Sequence, residues 1–219
     1  MMFLGISLAQ GVTRRHMLAY LVVAFFSSGY AGALAVMQPA VLQLMGISYG
    51  DQATVTGGLS AMQEVVLIAT MGLVGVWADR VGRPIVYVTG LLLTSLGFAL
   101  YPFAESIAEL VVYRLIVAFG SAAMVGMMVT VVADYASDVD RGKANGLQGM
   151  VATLGAFIPP ALGVLPALFV ERGYTELSAQ QATFAVGASL GVFAAVIAWF
   201  GLCRTTGRVA SEGREPVRV

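Results

Sequence analysis

Six stretches of this chain are each long and apolar enough to cross a lipid bilayer, and that feature leaves few folds open. A spanning helix needs about 20 mostly apolar residues, and such runs lie near 17–40, 53–78, 85–103, 107–134, 145–170 and 179–203. In hydrocarbon every backbone N–H and C=O must be satisfied inside the structure, so runs of this length read as helices. The first run exceeds the 7 to 15 residues of about the longest signal-peptide cores and lacks a small-residue cleavage site, so it is expected to remain as a span. The fold class is all-α membrane protein with six transmembrane helices, a domain over residues 1–203 followed by a polar cytoplasmic tail over 204–219.

Charge excludes several functions. Hydrophobic residues make up 58% of the chain and charged residues 11%, against about 25% charge in a soluble domain. Net charge is zero, so the basic face that nucleic-acid binding demands is missing. One cysteine, Cys203, and one histidine, His16, exclude an internal disulfide and a zinc site built from those residues. No metal or cofactor is expected.

The charges that do occur are sorted by side. Arg14, Arg15, Arg80, Arg83, Arg141, Lys143, Arg204, Arg208, Arg214 and Arg218 fall in one set of connections, whereas the other set holds Arg172 among Asp51, Glu105, Glu109, Glu171 and Glu176. The positive-inside rule then makes both termini cytoplasmic. It also places the stretch GVWADRVGRPIV, Gly75 to Val86, in a short cytoplasmic turn punctuated by Gly82 and Pro84. Asp79 at the end of one span, followed by two arginines on a glycine turn, forms a charge network expected to lock helix ends together, with Asp79 paired to Arg83 and Asp134 bordering the cluster.

These residues resemble the G-x-x-x-D-R-x-G-R signature of the major facilitator superfamily, through Gly75, Asp79, Arg80, Gly82 and Arg83. LVVYRLIVAFGSAA resembles the fourth-helix motif of that family through Leu110, Arg114, Gly120 and Ala122, with Val117 and Ala118 where a Gln-Gly pair is usual. GLQGMVATLGAFIPPALGV is similar to its fifth-helix antiporter motif through Gly146, Gly155, Pro160 and Gly163, while Pro159 and Val164 replace two glycines. DYASDVDRGKANG looks like the loop between helices four and five, where Asp134 and Arg141 would flank a cytoplasmic gate. Members of the family pair two six-helix halves around a substrate site. The resemblance covers the first half, and RTTGRVASEGREPVRV is similar to the start of the linker between halves.

Two ionisable residues fall within apolar spans, Glu64 and Arg114. An ionised group at the bilayer centre costs roughly 2.5 to 3.5 kcal/mol, so both are expected to face protein or water. Counting about 1.5 Å per residue from Asp79 and Asp134 places both in the outer half of the membrane. Glu64 reads either as a proton or cation site, its affinity tuned by burial, or as a structural acid satisfied by Gln63, Arg114 or water. The resemblance gives Arg114 a role in proton coupling or anionic substrate contact; its own chemistry equally suits a structural donor. Gln38 and Pro39 either line a cavity or kink the first span. Pro159 and Pro160 are expected to bend the fifth. Met124, Met127 and Met128 read either as an adaptable surface for varied apolar ligands or as packing, and Gly187 with Gly191 as a site of close helix contact within or between chains.

The expected function is a half-size secondary active transporter of a small molecule, carrying out proton-coupled export by alternating access with a second copy or a separate second half. Its expected setting is the bacterial inner membrane, with protons, substrate and lipid as the other partners. Two alternatives stand beside it: a non-transport scaffold or assembly subunit, and an incomplete product of a longer transporter gene. No loop is long enough for a catalytic domain, and neither a nucleophile with its base nor a phosphate-cradling loop occurs, so no enzyme is expected.

Overall fold

The computed structural model describes residues 2–203; the expected polar tail with Arg204, Arg208, Arg214 and Arg218 lies outside the described residues. Seven α-helices follow a short hairpin: α1 Arg14–Leu44, α2 Tyr49–Val81, α3 Arg83–Leu100, α4 Ile107–Tyr135, α5 Arg141–Gly155, α6 Ile158–Glu171 and α7 Glu176–Gly201. Counted as spans they are six, because α5 and α6 form one crossing from Asp138 to Glu171. The break between them falls at Ala156 and Phe157, just ahead of Pro159 and Pro160 in the first turn of α6. Proline is tolerated in a first turn, where the missing N–H has no helical partner. The pair therefore restarts the fifth span as a new helix.

Local signals set the helix starts. Thr13 caps α1 by accepting from the His16 N–H, and the His16 ring accepts in return from the Thr13 N–H at 3.2 Å. Ser106 accepts from the Glu109 N–H and Thr175 from the Ser178 N–H, both at 3.3 Å. Each hydroxyl satisfies a donor that the helix start leaves free.

Lipid tails are as apolar as leucine, so packing and hydrogen bonds hold membrane helices together. Glycines supply the close approach. A Cβ on Gly90 would stand 2.7 Å from the Met124 amide nitrogen, and one on Gly120 2.6 Å from that of Thr94, so α3 and α4 meet backbone to backbone. Gly187 and Gly191 seat α7 within the same chain, against Phe98 of α3 and against Ser95 and Tyr30. Around them Phe98, Phe184 and Tyr101 form an aromatic stack, with Phe184 and Tyr101 nearly parallel at 15° and 5.8 Å. Such pairs contribute about 0.5–1.5 kcal/mol beyond area burial. The hydroxyl of Tyr20 donates to the Met128 carbonyl at 2.8 Å, tying α1 to α4. Met124 and Met127 are buried in that packing.

The N-terminal residues add a strap with no counterpart in the hydrophobic pattern. β1 (Met2–Phe3) and β2 (Ile6–Ser7) pair antiparallel, with positive φ at both turn residues, Leu4 (+46°) and Gly5 (+75°). Beyond the hairpin, the Ser7 N–H donates to an Asp140 carboxylate oxygen at 2.9 Å, the Ser137 N–H to the Ser7 carbonyl at 2.8 Å and the Ala9 N–H to the Tyr135 carbonyl at 3.0 Å. Tyr135 also accepts from the Cys203 N–H at 2.7 Å. The start of the chain, the connection from α4 to α5 and the end of α7 are thus fastened to one another.

Two faces stay open. Of the thirty-three residues of α2 only Leu59 and Ala78 are buried. Most of α5 and α6 is likewise exposed, including Met150, Leu154, Phe157 and Val164.

Candidate functional site

A polar cluster crosses the bundle at the level of Pro39. Gln38, the residue before that proline, is fully buried, and both ends of its amide are engaged. Its Nε2 donates to Thr56 Oγ1 of α2 at 3.0 Å. Its Oε1 accepts from the Tyr101 hydroxyl and from Arg114 Nη1 of α4, each at 2.8 Å. Arg114 Nη2 donates further to Ser60 Oγ of α2 at 3.2 Å. Three helices and the end of α3 therefore converge on one guanidinium.

That guanidinium is only 4% exposed and makes no ion pair within 4 Å among the described residues. Its Nε has no hydrogen-bond partner. A buried cation held solely by neutral acceptors keeps most of its desolvation cost, which an approaching negative group would relieve. Glu64 acts on it electrostatically from α2 without direct contact, and is itself exposed. Gln63 beside it holds a buried Oε1 without a partner. The structure thus brings together Gln38 and Arg114, sets Glu64 and Gln63 at the margin, and adds Thr56, Ser60 and Tyr101. Thr56, Ser60 and Glu64 recur every fourth residue, a spacing that puts them on one helix face and could have flagged the first two. Tyr101 carried no such signal.

The second cluster lies at the opposite end of the bundle, around the turn from α2 to α3. Gly82 closes α2 and opens α3 with φ of +100°, a backbone conformation that favours glycine. Immediately after it Arg83 forms an ion pair with Asp134 in the last turn of α4. The expected Asp79–Arg83 pair is replaced by this one. Gly82 turns the chain so that Arg83 starts α3 alongside the end of antiparallel α4, whereas Asp79 remains exposed on α2 and acts on Arg83 only electrostatically. Arg80 is exposed. Arg141 pairs with Asp138 at 2.8 Å and donates to the Ala133 carbonyl at 3.3 Å, so it caps the end of α4 while standing apart from Asp134's partner. Basic side chains commonly satisfy such terminal carbonyls.

The fifth-span motif divides. A Cβ on Gly155 would collide with Ser28 Oγ and the Phe25 carbonyl, and one on Gly163 would lie 2.9 Å from Val36, so these two bring α5 and α6 onto α1. Gly146 meets nothing within 4 Å, and neither do Gly72 and Gly75 on α2.

Six apolar helices, a buried arginine network and a charged turn after the second span define a multi-pass helical membrane protein. Residues 17–218 match the family profile of the Major Facilitator Superfamily, and the chain belongs to that family. It is 32% identical over 145 residues to the multidrug transporter protein MdtP of Bacillus subtilis, across 65% of this chain and 26% of that protein. It is 29% identical over 107 residues to multidrug resistance protein 3 of the same organism, across 49% of this chain and 21% of that protein. The bovine synaptic vesicular amine transporter is 28% identical over 120 residues, across 53% of this chain and 23% of that protein. The chain thus spans about a quarter of the length of the curated relatives it matches. A crystal structure of a bacterial homolog of the human lysosomal transporter Spinster, inward-facing and unoccupied, superposes with a TM-score of 0.73 at 19% identity, covering 89% of this chain and 44% of that one. That likeness supports the six-helix fold.

Proposed function

We propose that this chain supplies six helices of a proton-coupled exporter of small, amphipathic molecules, working by alternating access against a second six-helix unit. The observation that carries the reading is the Arg114–Gln38 network, which reaches α2 at Thr56 and Ser60, with Glu64 one turn further along the same helix and left exposed by the chain. A second unit laid on α2 and α5 would enclose that polar cluster between two walls. Gly72, Gly75 and Gly146, with open space over each, would let its helices approach closely. Enclosed in this way, Glu64 would face the cavity between the two units, where it can exchange a proton with whichever side is open.

In this reading Arg114 holds the polar floor of the cavity. The Gly82 turn, with Asp79, Arg80, Arg83, Asp134 and Arg141, forms the cytoplasmic gate, with both termini on that side. The multidrug relatives support a range of small-molecule substrates. A second copy of this chain and a separately encoded unit are both suitable partners.

The test is efflux of an amphipathic dye from proteoliposomes under an imposed pH gradient, with the partner state read by native mass spectrometry. Gradient-driven efflux that disappears in Glu64→Gln and in Asp79→Asn is the expected result. Efflux insensitive to the gradient, or unchanged in Glu64→Gln, overturns the coupling assignment.

A further inference from the structure

Two adjoining cavities open at the end of the bundle opposite the Gly82 turn. One, of about 180 Å³, lies between Leu44 of α1, Glu105 in the connection after α3, and Leu177 and Gln180 of α7. The other, of about 230 Å³, lies between Leu44, Val170 of α6, Glu176 and Gln180. Leu44 and Gln180 belong to both walls. Each volume is several times the roughly 30 Å³ share of one water molecule.

Gln180 is the unusual member. It is 8% exposed, and its Oε1 is buried without a hydrogen-bond partner. The neighbouring buried Thr183 is satisfied by the Ala179 carbonyl at 2.8 Å, and the buried Gln38 uses both ends of its amide. Buried polar side chains ordinarily find partners, so the orphan amide oxygen of a residue that lines both cavities points to a donor from outside the described residues. Each cavity also has one carboxylate on its wall, Glu105 or Glu176, and neither makes an ion pair within 4 Å among the described residues. No lysine or arginine lines either cavity. The nearby Arg172 lies outside both walls. Gln43 also lines the second cavity, and the remaining lining residues are apolar.

We propose that the cavities around Gln180 bind a protonated primary amine carried on an apolar body. An ammonium group offers three donors and no acceptor, which suits an amide oxygen flanked by carboxylates, while the apolar body lies along Leu44, Leu177 and Val170. This site uses none of the residues of the Arg114 network, and it stands or falls independently of the transport reading. Such an amine comes either from a lipid headgroup or from a free amphiphile.

The test is equilibrium binding of decylammonium and of 1-decanol to the full chain in phosphatidylcholine nanodiscs. Decylammonium should bind more tightly than 1-decanol by at least about tenfold, the ratio for one charge-assisted hydrogen bond. Glu105→Gln with Glu176→Gln, and separately Gln180→Leu, should remove that advantage and leave 1-decanol binding unchanged. Because Gln180 is buried, the surface double variant keeps the test decisive if Gln180→Leu does not fold. Equal binding of the two probes, or undiminished decylammonium binding in the double variant, overturns the proposal. Replacing phosphatidylcholine by phosphatidylethanolamine separates the sources: competition that depends on Glu105 and Glu176 identifies the lipid headgroup, and its absence identifies a free amine.

Discussion

Arg83, the first residue of α3, is ion-paired with Asp134 in the last turn of α4, and the pair closes the end of the two most extensively packed helices of the bundle. The side chains are 19% and 15% exposed, so the pair lies between the surface and buried limits. Removing one partner should cost about 1–3 kcal/mol, above an exposed pair and below a fully buried one. Asp134→Asn should therefore lower the thermal unfolding midpoint, while Asp79→Asn, which breaks no ion pair, should leave it nearly unchanged. Equal losses in the two variants would contradict the observed pairing.

Gln38 is the hub of the Arg114 network. Gln38→Leu strips the guanidinium of its 2.8 Å acceptor and leaves the Tyr101 hydroxyl unpaired, which should destabilise the protein by about 2–4 kcal/mol. Gln38→Glu places a carboxylate in the same position and should retain most of the stability. Denaturation in mixed micelles followed by circular dichroism checks both variants.

Two glycines of one signature should respond differently. Gly82→Ala forces a side chain into φ +100° with ψ +138° and should cost roughly 1–3 kcal/mol. Gly75→Ala meets open space, so folding of the chain should be unaffected. Under the proposed assembly the same substitution should weaken association with a second unit, as read by native mass spectrometry. Normal association in Gly75→Ala would argue against α2 as the shared face.

Ser7→Pro removes the N–H that reaches Asp140, and proline has no replacement donor. Faster amide exchange at Ser137 and through the connection from α4 to α5 is expected, with the centres of α3 and α4 unaffected. Exchange unchanged at Ser137 would show that the strap does not hold this connection.

Leu4 occupies the first position of a two-residue hairpin turn with positive φ, where asparagine before glycine is preferred. Leu4→Asn should stabilise the strap by about 0.5–1 kcal/mol, visible as slower exchange of the hairpin amides.

Much of this architecture was legible in the amino-acid sequence because a bilayer turns composition into geometry. Runs of apolar residues must become helices, the glycine–arginine turn must lie between two of them, and a lone Glu64 or Arg114 in such a run stands out. The paired prolines announced a disturbance of the fifth span. Tertiary structure alone decided the partners: Asp134 rather than Asp79 for Arg83, Gln38 and Tyr101 for Arg114, and Phe98 and Tyr30 for the Gly187–Gly191 face. It alone showed the N-terminal strap, whose polar contacts follow no hydrophobic period, and the orphan amide of Gln180. Spacing along a chain fixes which residues share a helix face, but ion pairs and buried hydrogen bonds join different helices, and their geometry exists only once those helices have packed.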